Sequence, residues 1–104
     1  MEYEEFSEWY NSEEFHSEIT NIPSDKYPLN IQAQALLGDG VVFRILYSLR
    51  PNNNFKYQYI YGVNEEKFKT ENKKYTKLGF TLIHHQMAQS MSQSHQAVWV
   101  KNDL

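Results

Sequence analysis

The apolar positions change period several times along the chain, and each change marks an element. In "FKYQYIYG" the residues Phe55, Tyr57, Tyr59 and Tyr61 alternate with Lys56, Gln58 and Ile60. This predicts a strand with one wholly aromatic face. The runs "YPLNIQAQALL" and "VVFRILYSL" flank Gly38-Asp39-Gly40, a turn in which glycine accepts positive φ, and predict a β-hairpin. A second hairpin is predicted from "FTLIHHQMA" and "HQAVWVK" around the glycine-free "QSMSQS", whose turn is expected to be looser and more mobile. Two helix starts stand out, "NSEEF" and "NEEKF". In each, Asn or Ser can cap orphan backbone N–H groups, and first-turn glutamates suit the positive end of the helix dipole. Phe15, Ile19 and Ile22 line the first helix and Pro23 ends it; Phe68, Asn72, Tyr75 and Leu78 line the second and Gly79 stops it. Phe6, Trp9 and Tyr10 recur at helical spacing, so the N-terminal segment reads as an amphipathic helix.

The two helix–hairpin stretches match at a constant offset of 53 residues. Asn11, Glu13, Phe15, Glu18, Leu29 and Ala35 meet Asn64, Glu66, Phe68, Glu71, Leu82 and Ala88, and apolar positions such as Ile45 and Val98 fall in step without a gap. A duplicated unit follows as the structural expectation. Repeat one spans about 11–49, a linking strand 55–61 and repeat two about 64–102, within a single domain 1–104. If the duplication is complete, residues 1–10 form a strand rather than a helix. The implied fold class is α+β, an antiparallel β-sheet with helices packed on one face.

A chain of 104 residues with 40 % apolar and 15 % aromatic residues can build one core without staples. The absence of cysteine excludes disulfides, thiolate-held metals and thiol catalysis. "MEYEEFSEWY" is acidic where a signal peptide is basic, and no apolar run is long enough for a membrane span, so the expectation is a cytoplasmic protein with no membrane partner. Net charge is −3, but its distribution is uneven. Glu2, Glu4, Glu5, Glu8, Glu13, Glu14, Glu18 and Asp25 face no Lys or Arg before residue 26, whereas Lys67, Lys69, Lys73, Lys74 and Lys77 cluster in the second helix. Ordinary solvated faces and electrostatic steering of a charged partner both fit.

The succession of helix start, "GF", polar strand, short turn and "AVWVK" resembles the bacterial tandem repeat domain, in repeats of about fifty residues. Phe68, Gly79, Phe80, Leu82, Ala97, Val98, Trp99 and Lys101 carry the likeness. The first copy matches through Trp9, Phe15, Tyr27-Pro28, Ile31, Asp39-Gly40 and Phe43, with Lys26 in place of the glycine and Leu46 in place of the closing tryptophan. The resemblance implies the fold and carries no catalytic residue with it.

Candidate chemistry is thin. Strand alternation puts His84 on the inner face with Val98 and Val100, and turns His85, His95, Ala97 and Trp99 outward. His85 and His95 can approach each other, but no Asp, Glu or Cys between Phe80 and Val100 supplies a further metal ligand. GxSxG, GxGxxG and phosphate-loop motifs are absent. We therefore expect no catalytic, cofactor-binding or metal-binding residues. The expected function is protein binding by a small inhibitor or accessory protein that masks a larger target. It would use an uncovered sheet face (Trp99, His85, His95, Met87 and Arg44) or the acidic segment of Glu4, Glu5 and Glu8. Homodimerisation is a further possibility for that face. The alternatives are single-stranded nucleic-acid binding by the Tyr-rich strand and Lys-rich helix, a small hydrolase, or a homodimeric structural protein. The Asn-, Lys- and Tyr-rich usage suggests an AT-rich phage or bacterial genome.

Overall fold

A computed structural model describes residues 5–37, 40–88 and 94–102. The element order is α1 (Ser12–Thr20), β1 (Lys26–Ala35), β2 (Val41–Leu49), β3 (Phe55–Val63), α2 (Glu65–Lys77), β4 (Thr81–Ala88) and β5 (Ser94–Asn102). Helix α1 opens on a capping box. The Glu14 N–H donates to Asn11 Oδ1 at 2.8 Å, and the Asn11 N–H donates to the Glu14 carboxylate at 3.1 Å. It ends at Asn21, two residues before Pro23. Asn64 caps α2 by accepting from the Lys67 N–H at 2.8 Å, with Glu65 and Glu66 in the first turn and Lys74 and Lys77 in the last. Gly79 adopts φ +91°, a left-handed conformation that terminates the helix.

β1 and β2 form a two-stranded antiparallel sheet, and β3, β5 and β4 form a three-stranded one in that order. The tip residues Gly38-Asp39, and Gln89 to Gln93 of "QSMSQS", lie outside the described residues, as does the expectation of mobility there. The two hairpins share one register over Ile31–Ala35 and the matching His84–Ala88. Ile31↔Ile45, Ala33↔Phe43 and Ala35↔Val41 correspond, 53 residues on, to His84↔Val98, Gln86↔Gln96 and Ala88↔Ser94. Each has an irregularity near the start of its first strand, between Pro28 and Asn30 and between Leu82 and His84.

The N-terminal segment is not the amphipathic helix that its spacing suggests. Residues 5–10 are extended along β2: the Ser7 N–H donates to Ile45 O at 2.8 Å, and Tyr10 and Phe43 exchange two backbone bonds of 2.7 and 2.8 Å. A helix this short has too few hydrogen bonds to offset its nucleation cost, and the open edge of β2 offers backbone partners instead. The segment thus accompanies β2 as β3 accompanies β5.

The α+β class holds, with the strands divided between two sheets. β1 lies against β4 and β5, and Ile31, Ala33, Phe43 and Ile45 meet Ala88 and Val98 in the core beneath Phe15 and Ile19 of α1. Two polar side chains of β4 stitch the sheets together. His84 donates through Nε2 to Ile31 O at 2.7 Å, and the Gln86 amide accepts from Ala33 N–H at 3.1 Å and donates to Ala33 O at 3.0 Å. The aromatic face of β3 turns inward: Phe55 packs on Tyr27 at 4.7 Å, and Tyr61 meets the Phe15 ring edge-on at 4.9 Å. The helices do not share one face. Phe15 stacks on Phe43 at 5.1 Å, on the inner face of its hairpin, whereas Phe68 of α2 stacks over His85, His95 and Trp99, on the outer face of the other.

Candidate interaction surface

The outer face of β4–β5 is where the sequence places an open contact surface, and it is closed. Trp99 is 0 % and His95 4 % exposed, and Ala97 is buried with them under α2. The Trp99 indole Nε1–H donates to Asn72 Oδ1 at 2.9 Å, and its ring lies 4.9 Å from Tyr75. Strand alternation assigned these residues to the correct face, but that face is the bed of the helix. His85 remains exposed at the rim, stacked on Phe68 at 3.9 Å and 2°, and Met87 is half-buried. His85 Nε2 and His95 Nδ1 are 2.9 Å apart and share one hydrogen bond, while buried His95 Nε2 has no partner among the described residues. Burial, then the neighbouring His95 and His84, holds the His85 imidazole below its usual pKa. No group of three or more metal-ligating side chains occurs among the described residues. Two nitrogens do not make a structural metal shell.

Among the described residues, no helix lies over the outer face of β1–β2. Arg44 projects there, with its guanidinium 4.2 Å from the Phe6 ring and 4.5 Å from the Trp9 ring, both supplied by the N-terminal segment. Its Nε and Nη2 both donate to Gln32 Oε1, at 2.9 and 2.7 Å. Three partners therefore fix the planar group and leave Nη1 on its open edge. No carboxylate among the described residues pairs with Arg44. Around it stand half-buried Val42, Leu46 and Asn30, exposed Gln34, and Trp9 at 39 % exposure. Glu5 and Glu8 are exposed on the same segment, and Glu4 lies outside the described residues.

The sequence-derived contact set is thus split: Trp99, His95, His85 and Met87 belong to the α2 bed, Arg44 and the described acidic residues to the opposite sheet. Gln32 stands beside Arg44 on the outer face of the first hairpin, as strand alternation predicts; Phe6 and Trp9 are the participants that sequence reasoning missed. Phe6 and Trp9 were absorbed into a helical stripe, yet the offset of 53 already aligned them with the strand at Tyr59 and Gly62. The Lys-rich helix presents an open depression lined by Thr70, Lys73, Lys74, Lys77 and Leu78. All five come from one helix flank, so it is a surface stripe and not a cleft. Lys67 and Lys74 are drawn to Glu71, at 2.9 and 3.8 Å, and Lys69 to Glu65 at 3.6 Å. The Lys67 bond holds the Glu71 carboxyl below its ordinary pKa. No helix among the described residues is long and apolar enough to cross a membrane.

Comparison with family models, with curated proteins and with solved structures finds no match to this chain.

Proposed function

We propose that this protein is a non-catalytic protein-binding module that contacts and masks a larger target through the outer face of β1–β2 and the segment lying along it. The observation that carries this reading is Arg44, clamped between Phe6, Trp9 and Gln32 with one guanidinium edge open. Arg and Trp anchor interfaces because they combine a large apolar surface with directed hydrogen bonding, and holding them in place beforehand reduces the entropic cost of binding. The matched register of the two hairpins supports descent from one duplicated strand–helix–hairpin unit, in line with the resemblance to the bacterial tandem repeat domain. In a pull-down from host or phage-infected cells, Arg44→Ala and Trp9→Ala should lose a partner that the wild type retains, while Lys73→Ala keeps it. Retention by all three would sink the proposal. Nucleic-acid binding is less well supported. Tyr59 and Tyr61 of β3 pack against the core and offer no stacking platform, which weakens the pairing of an aromatic strand with lysines such as Lys73 and Lys77.

A further inference from the structure

We infer that the outer face of β1–β2 is the docking site for an amphipathic helix of a partner protein, one that carries a carboxylate opposite Arg44. The inference rests on the sheet-face reading above and adds the form and charge of the occupant. The molecule itself supplies the template. The hairpins β1–β2 and β4–β5 pair alike at an offset of 53 from Ile31↔Ile45 to Ala35↔Val41, and strand alternation carries the match one residue further along β2 and β5, so Gln32, Val42, Arg44 and Leu46 occupy the positions of His85, His95, Ala97 and Trp99. In β4–β5 those positions lie beneath α2, with Phe68 stacked across His85, His95 and Trp99. In β1–β2 no helix among the described residues covers them, because α1 packs on the other face through Phe15 and Phe43. The difference shows in burial. Trp99 and Ala97 are 0 % exposed, whereas Leu46 and Arg44 are only half-buried.

A helix seated there would cover Leu46, Val42 and the Arg44 cage together. Covering Arg44 without an acceptor would bury an unpaired charge, which is strongly disfavoured. Gln32 already takes Nε and Nη2, and no carboxylate among the described residues pairs with the group, so an acceptor on the incoming helix would satisfy Nη1. An Asp or Glu on its apolar margin matches that edge, and charge-assisted bonds of this kind are both strong and directional.

The probe is a displayed library of random peptides about sixteen residues long, some four turns of helix, selected on the full chain. Bound peptides should converge on apolar residues at i, i+3, i+4 and i+7 with at least one Asp or Glu. They should bind the Arg44→Gln variant about tenfold more weakly. Gln34→Glu, at an exposed position on the same face, tests the site without touching the cage, and like charge should weaken binding there too. Near-ultraviolet circular dichroism confirms that each variant keeps its packing. Peptides without helical periodicity that still require Arg44 would overturn the helical occupant and leave the sheet-face reading standing. Peptides indifferent to both substitutions would overturn both. Dimerisation of the chain that Gln34→Glu abolishes would overturn the inference by making a second copy the occupant.

Discussion

Trp99 has the largest side chain among the fully buried residues, and its surroundings turn a supposed contact residue into a structural one. Removing it would empty the space beneath Phe68 and Tyr75 and leave Asn72 Oδ1 without its donor. Trp99→Ala should lower stability by about 3–5 kcal/mol, read as a shift in the urea midpoint with unchanged slope. A change below about 1 kcal/mol would mean that α2 does not seal this face. At this scale the sequence was legible in part. Alternation correctly put His84 with Val98, and Trp99 with His95, because strand side chains obey a period of two whatever lies above them. Which side a helix covers is decided by the path of the chain between strands, and no single residue reports it. The Arg44 cage was hidden for a related reason. It joins Gln32, Arg44 and a segment more than twenty residues earlier, and their meeting depends on which edge of β2 that segment adopts.

At the scale of elements, α2 rests on a pair of imidazoles that can hold only one proton between their facing nitrogens. Those nitrogens lie 2.9 Å apart, and one ring, His95, is buried. The groups facing the pair are Phe68 of α2, Val63 and Met87 opposite His95 on β3 and β4, and Ala97 opposite and His84 beside His85; the α2 carboxylate Glu71 is taken by Lys67. Burial holds both His84 and His85 below the ordinary imidazole value of 6.5. The unfolded chain therefore binds more protons than the folded one as acid is added. Stability should be fully present above pH 6.5 and decline as pH falls through and below that value. Urea midpoints at pH 7.5 and 5.5 should show the loss, and the gap between them should narrow in His85→Gln. An equal gap in both proteins would remove His85 as its source. The elements themselves were readily legible: both Asn caps, the Gly79 stop and the hairpin periods locate α1, α2 and all five strands within a few residues. The N-terminal segment escaped because Phe6, Trp9 and Tyr10 satisfy a helical period by coincidence, while the edge that claims them lies at Phe43 and Ile45.

Across the whole molecule, the two sheets are joined by polar side chains as well as by the apolar core. Gln86 bonds to both backbone groups of Ala33, and its amide oxygen also accepts from Gln96 Nε2 at 2.9 Å. Gln86→Ala should cost about 1–3 kcal/mol, since it strands backbone groups at a part-buried site, and chemical denaturation will measure it. A neutral result would show that water replaces the amide without penalty. The same side chain has a second consequence. Ala33 N–H and Ile31 O belong to the margin of β1 that β2 does not pair, and Gln86 and His84 occupy them as a neighbouring strand would. The protein thereby closes off a margin on which other chains could build intermolecular β-structure. Loss of Gln86 should therefore appear first as fibrillar aggregation on prolonged storage, at concentrations where the chain is still folded.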